Sequence, residues 1–225
     1  MMFFKQSLLI LKRDLKIEFR NKSLLLSMII FAVLFQVFLQ IVFDANIEAI
    51  KKIAAGVLWI PILLSALLGF SKYGIAEREN DALTGLLIAP VDRGAIFLGK
   101  LLGNLLFVFI VVIISVPVFF LFLKQPFPES IGLLLFTLFL GSWGFVALGV
   151  FFTTLAQSSS ITDLLVPIMI FPLAVPLFLA ISQLTEMALY PSIVMGQDLW
   201  VLLLVGYNIL FTIAPLFLFD ILLEV

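Results

Sequence analysis

Charged residues divide this chain into uncharged, mainly apolar runs about as long as a bilayer is thick. A hydrocarbon core about 30 Å thick needs roughly 20 residues of helix at about 1.5 Å rise each. Ser23–Phe43 supplies 21 residues between Lys22 and Asp44, Ile53–Ser71 supplies 19, and Leu101–Leu123 supplies 23 between Lys100 and Lys124. Leu164–Thr185 adds 22 and Leu199–Phe219 adds 21. Ser130–Thr162 holds 33, more than one span requires, and Gln157, Ser158, Ser159 and Ser160 interrupt it near its end. Six helices fit this arithmetic, at about 23–43, 53–71, 99–123, 131–155, 162–183 and 199–221. An outer-membrane barrel is excluded, because its strands alternate over about ten residues and do not run continuously apolar. With 64% hydrophobic and 12% charged residues, against about 25% charged in a soluble domain, the 225 residues read as one all-α membrane domain, 1–225.

Short-flank cations set the orientation. Lys5, Lys12, Arg13, Lys16, Arg20 and Lys22 precede the first span, and Lys72, Arg78, Arg93 and Lys100 flank the connection after the second. Only Lys51, Lys52 and Lys124 fall on the other side. Ten against three predicts both termini on the inner face, which agrees with an even number of spans. The N-terminal stretch has scattered basic residues and no short apolar core before a small-residue cleavage site, so it does not read as a signal peptide. On a helical wheel Phe4, Leu8, Leu11, Leu15 and Phe19 share a face, with Lys5, Lys12, Arg13, Lys16 and Arg20 beside it. Residues 3–20 therefore read as an interfacial helix, apolar side in the acyl boundary and cations among lipid phosphates. The alternative is a solvated basic tail.

Several chemistries are excluded by absence. The chain has no Cys and no His, hence no disulfide, no thiolate nucleophile, no usual general base and no usual haem axial ligand. Its net charge of −1 gives no footprint for nucleic acid. No run carries a charge at its centre, which disfavours an ion or proton pathway; Asp163 and Asp220 stand at run ends. The interior polar residues are Gln36, Gln40, Ser65, Asn104, Ser115, Ser142, Gln183, Asn208 and Thr212, suited to hydrogen bonds between helices. Gly94–Leu101 approaches a phosphate-binding P-loop, but Leu101 replaces the Mg²⁺-binding hydroxyl, and Lys100 reads as an interfacial anchor. No metal or cofactor site is predicted.

Glycine and proline mark the packing. Gly99 and Gly103 are spaced for close helix approach, as are Gly141, Gly144 and Gly149. Pro167, Pro172 and Pro176 each remove a backbone donor within the fifth run and predict a kinked or broken span, either a moving element or a packed irregular one.

The stretch Glu77–Arg93, between spans two and three, lies on the basic side. Leu83, Leu86 and Leu87 form an apolar stripe, Glu79 and Asp81 add negative charge, and Pro90 discourages continuation. Residues 77–90 thus read as a short amphipathic helix. It either docks in a groove of a soluble partner or lies on the lipid surface.

This order of parts resembles the six-span permeases of exporter-type ABC transporters (the ABC-2 type), with an interfacial first helix and a coupling helix between spans two and three. More specifically it resembles the haem exporter protein B (CcmB) family. The resemblance rests on Ala55-Gly56-Val57-Leu58-Trp59, Leu64-Ser65-Ala66-Leu67-Leu68 and Asn80-Asp81-Ala82-Leu83. It continues through Leu86-Leu87 with Pro90, Gly99-Lys100, Leu140-Gly141, Leu165-Val166-Pro167 and Phe171-Pro172-Leu173-Ala174-Val175-Pro176-Leu177. The resemblance implies a non-catalytic, multi-pass inner-membrane subunit of cytochrome c biogenesis. Its implied partners are an ATPase (CcmA), the membrane proteins CcmC and CcmD, and the haem chaperone CcmE, with room for self-association. Docking on the ATPase would fall to Glu79, Asp81, Leu83, Leu86, Leu87 and Pro90. Haem, if handled at all, would be held by a partner. Two rivals are a permease for another cargo (drug, lipid or polysaccharide) and an intramembrane enzyme, which would need Asp163 and Asp220 to meet.

Overall fold

The computed structural model describes residues 2–21, 23–43, 47–79, 91–122, 125–156, 162–190 and 196–222. Regular structure among them is entirely helical: α1 (Met2–Asn21), α2 (Ser23–Phe43), α3 (Ile47–Glu79), α4 (Arg93–Phe122), α5 (Ile131–Ala156), α6 (Thr162–Leu189) and α7 (Gln197–Leu222). Helices α2 to α7 are each long and apolar enough to cross a membrane. The protein is an all-α, multi-pass membrane protein.

Several helices outrun the predicted spans. α3 reaches from 47 to 79, where hydropathy marks 53–71, α4 starts at Arg93 instead of 99, and α6 continues to Leu189 instead of 183. Charge marks where hydrocarbon stops, but a backbone leaving hydrocarbon still needs partners for its N–H and C=O groups. Continuing the helix supplies them. Residues 77–79, expected to open a separate helix, are consequently the last residues of α3.

Local chemistry sets the helix starts. Asp92 caps α4: its Oδ1 accepts from Gly94 N at 2.9 Å, and its carbonyl accepts from Ala95 N at 3.0 Å. Ser130 caps α5 through Leu133 N, and its own N–H donates to Ala188 O at 3.2 Å, tying this connection to the end of α6. Beside it the Tyr190 hydroxyl, whose pKa burial pushes upward, donates to Gln125 Oε1. Gly196 precedes α7 at φ +92°, a conformation that favours glycine. α6 runs unbroken through Pro167, Pro172 and Pro176, with Pro172 and Pro176 on its exposed side.

α3 and α5 form the centre. Within their spanning windows 67% and 56% of residues are buried, against 17% for α2 and 22% for α7. Glycines on α5 let neighbours in. A Cβ on Gly141 would lie 2.7 Å from the Trp59 ring of α3 and 2.8 Å from Ile181 of α6. One on Gly144 would meet Leu177, Tyr207 and Asn208 at 3.2 Å, and one on Gly149 would enter the Phe70 ring. Two indoles then pin helices together. Trp59 Nε1 donates to Thr185 Oγ1 at 2.9 Å, joining α3 to α6, while Thr185 Oγ1 donates onward to Ile181 O at 2.6 Å. Trp143 Nε1 donates to Thr212 Oγ1 at 2.9 Å, joining α5 to α7. Such bonds contribute about 0.6 kcal/mol each on average in a bilayer.

Other interior polar groups bond within their own helix. Ser65, Asn104 and Asn208 donate to carbonyls three or four residues earlier. Gln40 Nε2 crosses from α2 to Phe122 O on α4, and Tyr207 OH crosses from α7 to Leu173 O on α6 at 3.1 Å. Gln36 differs. It is 1% exposed, and among the described residues neither its Nε2 nor its Oε1 has a hydrogen-bond partner; Ser115 Oγ and Ser142 Oγ are also buried without one there.

Gly141→Ala should destabilise the detergent-solubilised protein by about 1–3 kcal/mol, because the hydrogen-bonded Trp59 cannot yield to the new methyl. Gly206→Ala, with nothing within 4 Å, should be neutral or slightly stabilising. Thermal melts of the two variants check this contrast. By the same assay Gln36→Leu should raise the melting temperature by the equivalent of about 1 kcal/mol, since it removes an unpaired buried amide. A fall would show that the amide is engaged.

Candidate functional site

The basic end of the bundle is where α1, the end of α3 and the start of α4 meet. α1 has three sides. Phe4 and Leu8 are exposed and Leu11 and Leu15 half-buried on the predicted apolar face; Phe19 and Arg20 have side chains outside the described residues. Lys5, Lys12 and Lys16 are exposed beside that face. The third side, Ser7, Ile10 and Asp14, is buried against the protein. Sequence reasoning did not identify this side.

α1 seats on the glycines that open α4. Phe3 lies 3.4 Å from where a Cβ of Gly94 would be, and Leu11 lies 3.7 Å from that of Gly103. Between them a Cβ on Gly99 would stand 2.9 Å from both Ile10 Cβ and the carbonyl oxygen of Ser7. That last distance is a backbone contact, closer than real Cβ atoms come. The G-x-x-x-G pair therefore receives the N-terminal helix rather than another span. Gln6 Oε1 also accepts from Asp92 N at 3.4 Å, so α1 touches the residue at which the preceding connection enters α4.

Polar groups reinforce the seat. Asp14, 5% exposed, accepts from Tyr73 OH of α3 at 2.6 Å and from Arg13 Nε at 3.1 Å. A carboxylate there needs such charge-assisted partners to offset lost hydration. Lys100, expected as an interfacial anchor, is instead 1% exposed. Its neighbour Gly99 draws α1 close to this turn of α4. With Tyr73, Asn104, Thr153 and Thr154 it lines a void of about 10 Å³, the scale of one water molecule. At the far edge of α1, Glu18 Oε1 accepts from Leu24 N at 3.1 Å and Leu25 N at 3.0 Å, supplying the first turn of α2 with an acceptor and a negative charge.

Of the residues predicted to dock a partner, Glu79 is the last residue of α3. Asp81, Leu83, Leu86, Leu87 and Pro90 lie outside the described residues. The two helices bounding that stretch, α3 and α4, are held beside one another by packing of Phe97, Leu101 and Leu105 in the common core with Ala66, Leu67 and Phe70. Elsewhere an apolar groove of about 480 Å³ opens between α3, α5 and α6, lined by Leu63, Leu67, Phe145, Ile170, Ala174 and Phe178 among others, with no polar surface in it.

The model of the CcmB protein family matches residues 5–219. The chain is 28% identical over 139 residues to heme exporter protein B of Rhodobacter capsulatus, covering 62% of this chain and 63% of that protein. It is 32% identical over 128 residues to heme exporter protein B of Paracoccus denitrificans, covering 56% and 58%. It is 25% identical over 179 residues to heme exporter protein B of Haemophilus influenzae, covering 80% of each. The match therefore spans under two thirds of the first two relatives and four fifths of the third. Matched from residue 5 to residue 219 by one family model, and built as six spans behind a packed N-terminal helix, the chain belongs to the CcmB family.

Proposed function

We propose that the protein is the permease subunit of an ABC-type exporter in cytochrome c maturation, set in the inner membrane with both termini inside. The observation that carries this reading is the family match over residues 5–219, together with relatives that bear the name heme exporter protein B. In this reading an ATPase subunit of the CcmA kind grips residues 77–90. Leu83, Leu86 and Leu87 fill its groove, Glu79 and Asp81 steer basic groups towards it, and Pro90 ends the docking element before Asp92 begins α4. CcmC-like and CcmD-like membrane subunits and the chaperone CcmE complete the assembly, and a second copy of the chain is a further candidate partner.

The division of labour follows from the side chains. In this reading hydrolysis belongs to the ATPase subunit, and this subunit, with neither His nor Cys, supplies no usual haem ligand. Haem therefore stays on a partner, and the ATP-driven event is release of the loaded chaperone at the opposite face. Force on residues 77–90 enters α3 and α4 directly, because both helices begin or end at that connection. α6 is the proposed yielding span. Pro167, Pro172 and Pro176 leave the carbonyls of Asp163, Ile168 and Pro172 without their ladder donors, which lowers the resistance of this helix to bending.

Leu86→Asp should weaken co-purification of the ATPase by about 10- to 100-fold, the loss expected when a buried leucine becomes a charge. Undiminished binding would remove the docking role. Cells lacking the protein should lose c-type cytochromes and keep b-type haem proteins, as read by haem staining and reduced-minus-oxidised spectra. Intact c-type cytochromes would point to another cargo.

A further inference from the structure

α1 is joined to three other helices by contacts of different kinds. It meets α4 through backbone contact at Gly99, flanked by Phe3 on Gly94 and Leu11 on Gly103. These contacts advance along both helices in the same sense, so α1 lies along the first turns of α4 and does not touch it at a single crossing. It meets α3 through the buried Asp14–Tyr73 bond of 2.6 Å. It meets α2 through Glu18, which holds the N–H groups of Leu24 and Leu25. Its Gln6 reaches Asp92, the residue that caps α4 just beyond the proposed docking segment.

We infer that α1 and the first turns of α4 move as one rigid body, making α1 a second arm that carries force applied to residues 77–90 to the start of α2. The inference rests on the proposed docking role of that segment. A close-packed helix pair shifts as a unit unless its side chains find a second register, and three features oppose one here. The Gly99 contact admits no side chain between the helices, so rolling α4 by one residue would drive Leu98 or Lys100 into the α1 backbone. Phe3 against Gly94 and Leu11 against Gly103 brace the contact on both sides, so the pair also resists rocking about Gly99. Asp14 would lose its 2.6 Å bond from Tyr73 while staying buried. α2 is the least buried span, 17% against 67% for α3, so its displacement uncovers the smallest share of buried residues.

The chain contains no Cys, so an engineered pair reports without background. Ile10→Cys with Gly99→Cys places sulfurs at positions whose Cβ atoms stand 2.9 Å apart here, and a shift of about 1 Å gives disulfide geometry. The assay uses the assembled complex with its ATPase. Cross-linking should proceed equally fast without nucleotide and with a trapped ATP analogue, and the oxidised complex should mature c-type cytochromes within about twofold of the reduced one. A cross-link confined to one nucleotide state, or a fall of about tenfold on oxidation, would overturn the rigid body. If that pair does not accumulate, Leu11→Cys with Gly103→Cys and a short bifunctional thiol reagent give the same reading. Cross-linking rate involves no cargo, so the rigid body stands or falls separately from the cytochrome role. Failure of Leu86→Asp to weaken the ATPase would remove the docking reading while leaving the cross-link result intact. Glu18→Ala, in a complex that assembles normally, should lower cytochrome maturation severalfold without changing ATPase binding, and unchanged maturation would remove α2 from the path.

Discussion

Lipid tails are as apolar as leucine, so burying Leu against Leu within a bilayer gives helices little reason to associate. What holds this bundle together must come from close approach and from polar groups that find each other. α5 supplies the approach. Its glycines at 141, 144 and 149 admit Trp59, Tyr207 and Phe70 from α3 and α7 with almost no clearance, and dispersion over that surface replaces the missing hydrophobic drive. The indole bonds to Thr185 and Thr212 then set rotation as well as distance, because each donor has one direction. The central position of α3 and α5 and the peripheral position of α2 and α7 follow from where those small residues stand.

The same physics decides how much the sequence could reveal. Spans were legible because charge in hydrocarbon is so costly that its positions mark the boundaries residue by residue, and α2 and α5 match the expected bounds within a residue. Helix extension past those bounds was not, since it answers to backbone hydrogen bonding, on which hydropathy is silent. The inner face of α1 was hidden for another reason. Leucine and phenylalanine dominate an amphipathic pattern, so Phe4, Leu8, Leu11 and Leu15 defined the face, yet the packed face is Ser7, Ile10 and Asp14. The available clue was Asp14, an acid among Lys12, Arg13 and Lys16 on the same face as Ile10 and Ser7. Lys100 misled likewise: a lysine at a span edge usually snorkels, but this one is buried beside Phe70 and Tyr73 of α3 and Thr153 and Thr154 of α5, which take away its route to water. For residues 80–90 the leucine stripe and its charges remain sequence evidence.

α2 shows how these constraints leave room for movement. It presents one narrow stripe, Leu24, Met28, Ala32 and Gln36, to the protein and the rest to lipid. It is tied at both ends. At the basic end Glu18 holds its first N–H groups and Lys72 Nζ donates to Ser27 Oγ at 2.8 Å, while at the other end Gln40 reaches Phe122 O. Between the ties Gln36 sits buried with both amide atoms unpaired, which costs about 1–3 kcal/mol in this arrangement. A span fastened at its ends and burdened at its middle has a lower barrier to rearrangement than the glycine-seated centre. Any shift that gives Gln36 a partner recovers part of the cost. Rearrangement should therefore reach α2 more readily than the packed middle of α3 and α5, alongside any bending of α6: in lipid a helix is only as fixed as its small residues and paired polar groups make it.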